Sequence, residues 1–204
     1  MRSTVAWAGA ALFAAGLAST AIPAGAAGTK TAIFAGGCFW CVESDFDHVK
    51  GVTDTTSGYI GGTIENPTYE NHPGFREAVR VTFDPSKVSY DQLLTVYWHS
   101  IDPTDSGGQF CDRGHPYTTA IYATDQDELA KAKASEAAVK KDLGKVATVI
   151  EMAPKFWPAE GYHQDYYRKN PLKYKFYRYN CGRNARVEAV WGDKAYMGIR
   201  QAMD

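Results

Sequence analysis

The chain has almost no charge excess: 22 Lys and Arg stand against 23 Asp and Glu, a formal net charge of −1 over 204 residues. A surface so balanced has no field to hold a polyanion, which argues against a nucleic-acid partner. Cysteine is scarce too, with four residues, of which Cys38 and Cys41 lie close together and Cys111 and Cys181 are isolated. Structural zinc usually draws on two close ligand pairs, so no metal is expected. No internal repeat or flexible linker divides the sequence, which reads as one domain of ordinary size.

Long, strongly apolar runs are also missing. The nearest to one is at the start, where Met1-Arg2 precedes an alanine-rich stretch through Val5, Trp7, Leu12, Phe13 and Leu17 that ends in Ala24-Gly25-Ala26. It falls short of the roughly 20 strongly apolar residues of a spanning helix, so no stable membrane anchor is expected. A basic start, an apolar middle and a small-x-small end are the plan of a secretory leader. Residues 1–26 are therefore expected to be removed, leaving 27–204 in the periplasm or secreted, where disulfides persist.

Beyond the leader, Thr31–Ala35 is a short apolar run between glycines, the pattern of a buried strand. Val52–Ile60 reads as a strand, Asn66–Phe75 as a loop, and Ala78–Phe83 as a strand with Val79, Val81 and Phe83 inward. Ser89 and Gln92 form a capping box ahead of a helix whose apolar face is Leu93, Leu94, Tyr97, Trp98 and Ile101. Asp102–Pro116 reads as a long irregular loop, and loops of that length in compact domains usually carry function. A strand over Thr118–Thr124, a helix from Asp125 to about Asp142, a strand over Val146–Met152 and a short helix from Pro158 through Tyr166 follow, then a mixed, irregular tail from Asn180. Several links between strands are too short for a crossover helix. The fold class is α+β, a two-layer sandwich with a mixed sheet, flanking helices and long functional loops.

The chemistry centres on Gly36-Gly37-Cys38-Phe39-Trp40-Cys41-Val42-Glu43. The strand ends here, and Val42, Phe46 and Val49 recur at helical spacing beyond it. Cys38 stands at a helix start, where unpaired N–H groups and the helix dipole favour an anion; the expectation is a thiolate nucleophile. On spacing alone the Cys-x-x-Cys pair is equally consistent with two buried small residues or a structural disulfide.

Gly-Cys-Phe-Trp followed by Val42-Glu43 resembles the signature of peptide methionine sulfoxide reductases of the A type. The resemblance extends through Ser57-Gly58-Tyr59, Gly61-Gly62, Tyr69-Glu70, Glu77-Ala78-Val79, Phe83-Asp84-Pro85, Asp102-Pro103-Thr104 and Pro158-Ala159-Glu160, to about Trp191. It implies reduction of the S epimer of methionine sulfoxide, peptide-bound or free, by a catalytic domain spanning 27–204, with no metal or organic cofactor. Cys38 would attack sulfur and become a sulfenic acid, and Glu77 would donate the proton. Phe39 and Trp40 would wall the methyl pocket, and Tyr69, Asp112 and Tyr117 would hydrogen-bond around the sulfoxide oxygen. Cys181 would act as resolving thiol, with Cys41, where the family more often has glycine, as a closer candidate or relay. Cys111 is expected to be unpaired, and His163 to pack rather than catalyse. A thioredoxin-type dithiol would serve as reductant for a monomer.

Two other readings compete. A thioredoxin-like thiol-disulfide oxidoreductase using Cys38 and Cys41 lacks a recognisable cis-proline partner and the right strand order. A disulfide-stapled, aromatic-rich binding module would have no turnover.

Overall fold

The computed structural model describes Met1 and residues 28–200; apart from Met1, the expected leader lies outside the described residues, as do residues 201–204. The chain runs β1 (Lys30–Ala35), α1 (Phe39–Asp47), β2 (Val52–Ile60), β3 (Arg76–Phe83), α2 (Tyr90–Trp98), β4 (Gly108–Gln109), β5 (Asp112–Arg113) and β6 (Ala120–Ala123). It continues through α3 (Gln126–Leu143), β7 (Val149–Met152), β8 (Phe156–Pro158), α4 (Tyr166–Lys169), α5 (Pro171–Asn180) and α6 (Arg183–Trp191).

One mixed sheet has the order β7-β6-β1-β3-β2-β8, with β6 and β7 parallel and the other pairs antiparallel. Its central strand β1 is apolar on both faces, as strands buried on both sides are. Ala32 and Phe34 join the helical core with Val42, Phe46, Leu93 and Tyr97, whereas Ile33 and Ala35 join a smaller cluster with Ile60, Ala78 and Tyr122. The Phe34 ring stacks on Phe46 at 4.9 Å and on Tyr97 at 5.0 Å, pairs worth about 0.5–1.5 kcal/mol each beyond the area they bury.

Strand alternation also positions a carboxyl. Val79, Val81 and Phe83 of β3 face the helical core, so Glu77, two residues before Val79, points to the same side, toward the start of α1.

The capping box is present: Gln92 N–H donates to Ser89 Oγ at 3.2 Å and Ser89 N–H donates to Gln92 Oε1 at 2.8 Å. Asp125 caps α3 by accepting from Glu128 N–H at 2.8 Å, and Gly144 ends the helix at φ 79°.

Three local expectations are corrected. The segment from Pro158 forms no helix through Tyr166: Phe156–Pro158 pairs with β2 as an edge strand, and the Gln164 amide accepts from Ser57 N–H and donates to Ser57 C=O, standing in for a strand partner. The tail is not irregular, because α6 buries Arg183, Val187 and Trp191 at a spacing of four; with arginine on the inward face, an apolar count misses the helix. The long loop contains the short β4–β5 hairpin and a 3-10 turn at His115–Tyr117.

Candidate active site

β1 delivers the chain into the positive-φ turn at Gly37, and Cys38 follows as the residue capping α1. A side chain at Gly37 would have its Cβ 2.7 Å from Gln109, so this turn admits only glycine. The Cys38 side chain makes no capping bond; instead the first helical N–H, that of Phe39, donates to Glu77 Oε2 at 2.9 Å. The helix start thus holds a carboxyl beside the sulfur.

Cys38, Phe39, Trp40, Tyr69, Glu77, Asp112 and Tyr117 line a single recess of about 60 Å³, the scale of a methyl sulfoxide group. Seven of the nine expected site residues therefore meet in one place. Tyr177 completes the lining beside Cys38, and its hydroxyl donates to Asp112 Oδ2. The Tyr69 and Tyr117 hydroxyls belong to the same wall of the recess. A larger cavity of about 390 Å³ behind α5, lined by Tyr167, Tyr174, Arg178 and Glu188, includes neither thiol.

The aromatic walls are themselves held. Trp40 stacks on Tyr166 at 3.7 Å, and its Nε1–H donates to His163 Nδ1 at 3.0 Å. His163 is therefore an acceptor at Nδ1, and burial pushes its pKa down, which favours the neutral ring. Glu160 accepts from Tyr59 O–H at 2.8 Å and from Tyr69 N–H at 2.9 Å, which fixes the Tyr69 loop against the sheet. Tyr177 and Glu160 went unassigned at the sequence level. One tyrosine among thirteen carries no signal of its own, although Glu160 stands within the Pro158-Ala159-Glu160 motif.

Burial raises the Glu77 carboxyl to about 8 against the opposing Phe39 N–H bond, so at neutral pH it carries a proton. Cys38 differs from expectation. Burial, then the neighbouring Cys41, push its thiol well above the ordinary range, and it rests as a thiol. Its neighbour Cys41 moves the other way, lowered to about 7 by the Cys38 S–H bond and by the Arg178 and Arg183 guanidinium charges, against its own burial. The helix-start argument leaves out desolvation, which opposes the dipole at a covered sulfur.

Cys38 and Cys41 are free and buried, while Cys111 and Cys181 form a disulfide with Cα atoms 4.8 Å apart. The expectation that Cys111 is unpaired is thereby overturned. In this state Cys181, the expected resolver, offers no thiol to Cys38; it sits with Asp112 Oδ2 3.8 Å from its sulfur. The loop carrying Cys111 reaches the end of α5 because the β4–β5 hairpin turns at Phe110, in a left-handed conformation with φ 56°.

A nucleophilic sulfur, a protonated carboxyl and phenolic donors around a small aromatic recess suit one task, removing oxygen from a methyl sulfoxide. The profile of the peptide methionine sulfoxide reductase family matches residues 30–195. The chain belongs to that family. It is 55% identical to peptide methionine sulfoxide reductase MsrA 2 of Rhizobium meliloti over 181 residues, 87% of this chain and 91% of that protein. It is 50% identical to the MsrA of Bacillus licheniformis over 174 residues, 81% of this chain and 95% of that protein. Among solved structures, methionine sulfoxide reductase A of Corynebacterium diphtheriae superimposes with a TM-score of 0.69 at 31% identity, covering 72% of this chain and 78% of that one. Reduced Mxr1 of Saccharomyces cerevisiae gives 0.66 at 29% identity, covering 71% and 87%. The chain is thus an A-type reductase acting through cysteine and disulfide chemistry on methionine sulfoxide.

Proposed function

We propose that this reductase acts on the S epimer of methionine sulfoxide, peptide-bound and free, as a monomer outside the cytoplasm, where it repairs oxidised exported proteins. The observation that carries the assignment of roles is the shared recess: a buried thiol and a carboxyl protonated at neutral pH face one space the size of the reacting group.

The substrate methyl group lies against Phe39 and Trp40, and sulfur–ring contact contributes about 0.3–1.5 kcal/mol. The Tyr69 and Tyr117 hydroxyls orient the sulfoxide oxygen, while Asp112 holds Tyr177 against Cys38. Glu77 donates its proton to that oxygen as Cys38 sulfur attacks the sulfoxide sulfur, and the Cys38 thiol proton passes to the Glu77 carboxylate so formed. Oxygen passes from substrate to Cys38: the substrate sulfur gains two electrons and leaves as methionine, and Cys38 becomes a sulfenic acid. Cys41 and Cys181 then carry the oxidation outward to a thioredoxin-type dithiol, for which the exposed Cys111 of the disulfide offers a point of attack.

Single-turnover kinetics of Glu77→Gln test the assignment. Methionine formation slows by about 10²–10⁴-fold with the fold intact. A wild-type first turnover would remove Glu77 from the mechanism.

A further inference from the structure

The recess of about 60 Å³ has room for the reacting group and little else. A free amino acid leaves only its own backbone outside, whereas a protein substrate also leaves the residues on either side of the methionine. Those residues must lie on the rim, and no step above uses the rim.

One side of it is aromatic. The buried His163 ring lies 4.8, 5.7 and 4.7 Å between centroids from Phe39, Trp40 and Tyr69, all three in the recess wall. On its other side, at 4.1 Å, it carries Tyr162, which is outside the recess and 58% exposed; Tyr69 is 38% exposed. Tyr162 is thus an outward continuation of the wall rather than an isolated surface ring. Through His163, the Tyr162 and Tyr69 rings lie less than about 9 Å apart, within the reach of two or three residues of extended chain.

The turn that carries Tyr162 is held at both ends. Gln164 exchanges two bonds with the Ser57 backbone, and His163 N–H donates to Glu160 C=O at 2.9 Å. An exposed ring on a fixed backbone loses little freedom when a partner packs on it. The nearby charges are largely engaged: the Glu160 carboxylate accepts from Tyr59 and Tyr69, and the Lys169 ammonium donates to the Gly161 and Gln164 carbonyls. What this side of the rim offers a ligand is therefore a ring face.

We propose that Tyr162, with the exposed part of Tyr69, forms a subsite for an apolar or aromatic side chain two residues from the oxidised methionine, and so sets a preference among peptide substrates. The proposal rests on the reaction assigned above, with the substrate methyl in the recess. In an extended segment, side chains two residues apart share a face and stand about 6–7 Å from each other, which fits this spacing. The substrates favoured are unfolded or loop segments, and free methionine sulfoxide gains nothing from the subsite.

The test measures kcat and KM of the full chain, with dithiothreitol as reductant, on free methionine sulfoxide and on blocked pentapeptides. Each pentapeptide has methionine sulfoxide at its centre, glycine on both sides of it, and phenylalanine, alanine or lysine at both ends; the lysine peptide is the control for charge, since Glu70 is exposed next to Tyr69. The phenylalanine peptide exceeds the alanine peptide about fivefold in kcat/KM, through KM, as a ring–ring contact requires, and the lysine peptide matches the alanine one. Tyr162→Ala removes the difference and leaves the alanine peptide and free methionine sulfoxide at their wild-type rates, while Tyr162→Phe keeps it. The proposal is overturned by an unsubstituted protein with no phenylalanine preference, by a preference that survives Tyr162→Ala, by an equal loss on every substrate, or by a lysine peptide favoured as strongly. If the unsubstituted protein reduces none of the substrates, the reaction assignment itself fails and the proposal with it.

Discussion

The two cysteine pairs of this chain make opposite uses of sulfur. Cys38 and Cys41 sit three residues apart at a helix start, buried and unbonded, within reach of Glu77 and two arginines. Cys111 and Cys181 are 70 residues apart in sequence, nearer the surface, and bonded to each other. The difference lies in surroundings: the first pair is set among buried donors and cations that govern protonation, the second links a loop to the end of a helix. Asp112 touches both worlds, because its carboxylate lies beside the disulfide and also accepts from the Tyr177 hydroxyl at Cys38.

The comparison breaks first at Cys38. Its replacement by serine abolishes methionine formation, measured as product per enzyme, whereas Cys111→Ala with Cys181→Ala leaves the first turnover near the wild-type rate; equal losses in the two would erase the distinction. The double replacement acts instead on stability. A bond closing about 70 residues restrains the unfolded chain, and its loss costs about 4 kcal/mol in urea denaturation. An unchanged midpoint would show that the bond contributes nothing to stability.

Smaller effects sharpen the contrast. Tyr177→Phe removes one hydroxyl between Cys38 and Asp112 and lowers the single-turnover rate about fivefold, since such a bond contributes roughly 1 kcal/mol. The pH profile is the mildest probe. Glu77 is protonated below its pKa of about 8, so sulfoxide reduction declines as pH rises through that value. Cys41 is anionic above about 7, so disulfide formation grows as pH rises through 7. Rapid-quench measurements of the two steps should show opposite slopes between pH 7 and 8.

Much of this arrangement is legible in the residues. Alternation in Val79, Val81 and Phe83 gives the facing of β3, and hence of Glu77; Ser89 and Gln92 announce α2; Gly144 ends α3. The recess itself needed the resemblance, because Tyr69, Asp112 and Tyr117 lie far apart in sequence and their types are common. Three things stayed hidden for physical reasons. Buried arginines at 178 and 183 disguise the inward faces of α5 and α6 as polar. Gln164 replaces a strand partner with a side-chain amide, which no periodicity reports. The Cys38 protonation state depends on how completely later segments cover it, and a helix-start argument contains no such information.

The central claim is that Cys38 sulfur receives the oxygen of the sulfoxide. Mass spectrometry of the Cys41→Ser protein, after one equivalent of methionine sulfoxide and a sulfenic-acid trap, tests it most directly. The account predicts one methionine released per chain and one trap adduct on Cys38; methionine released with Cys38 unmodified would contradict it.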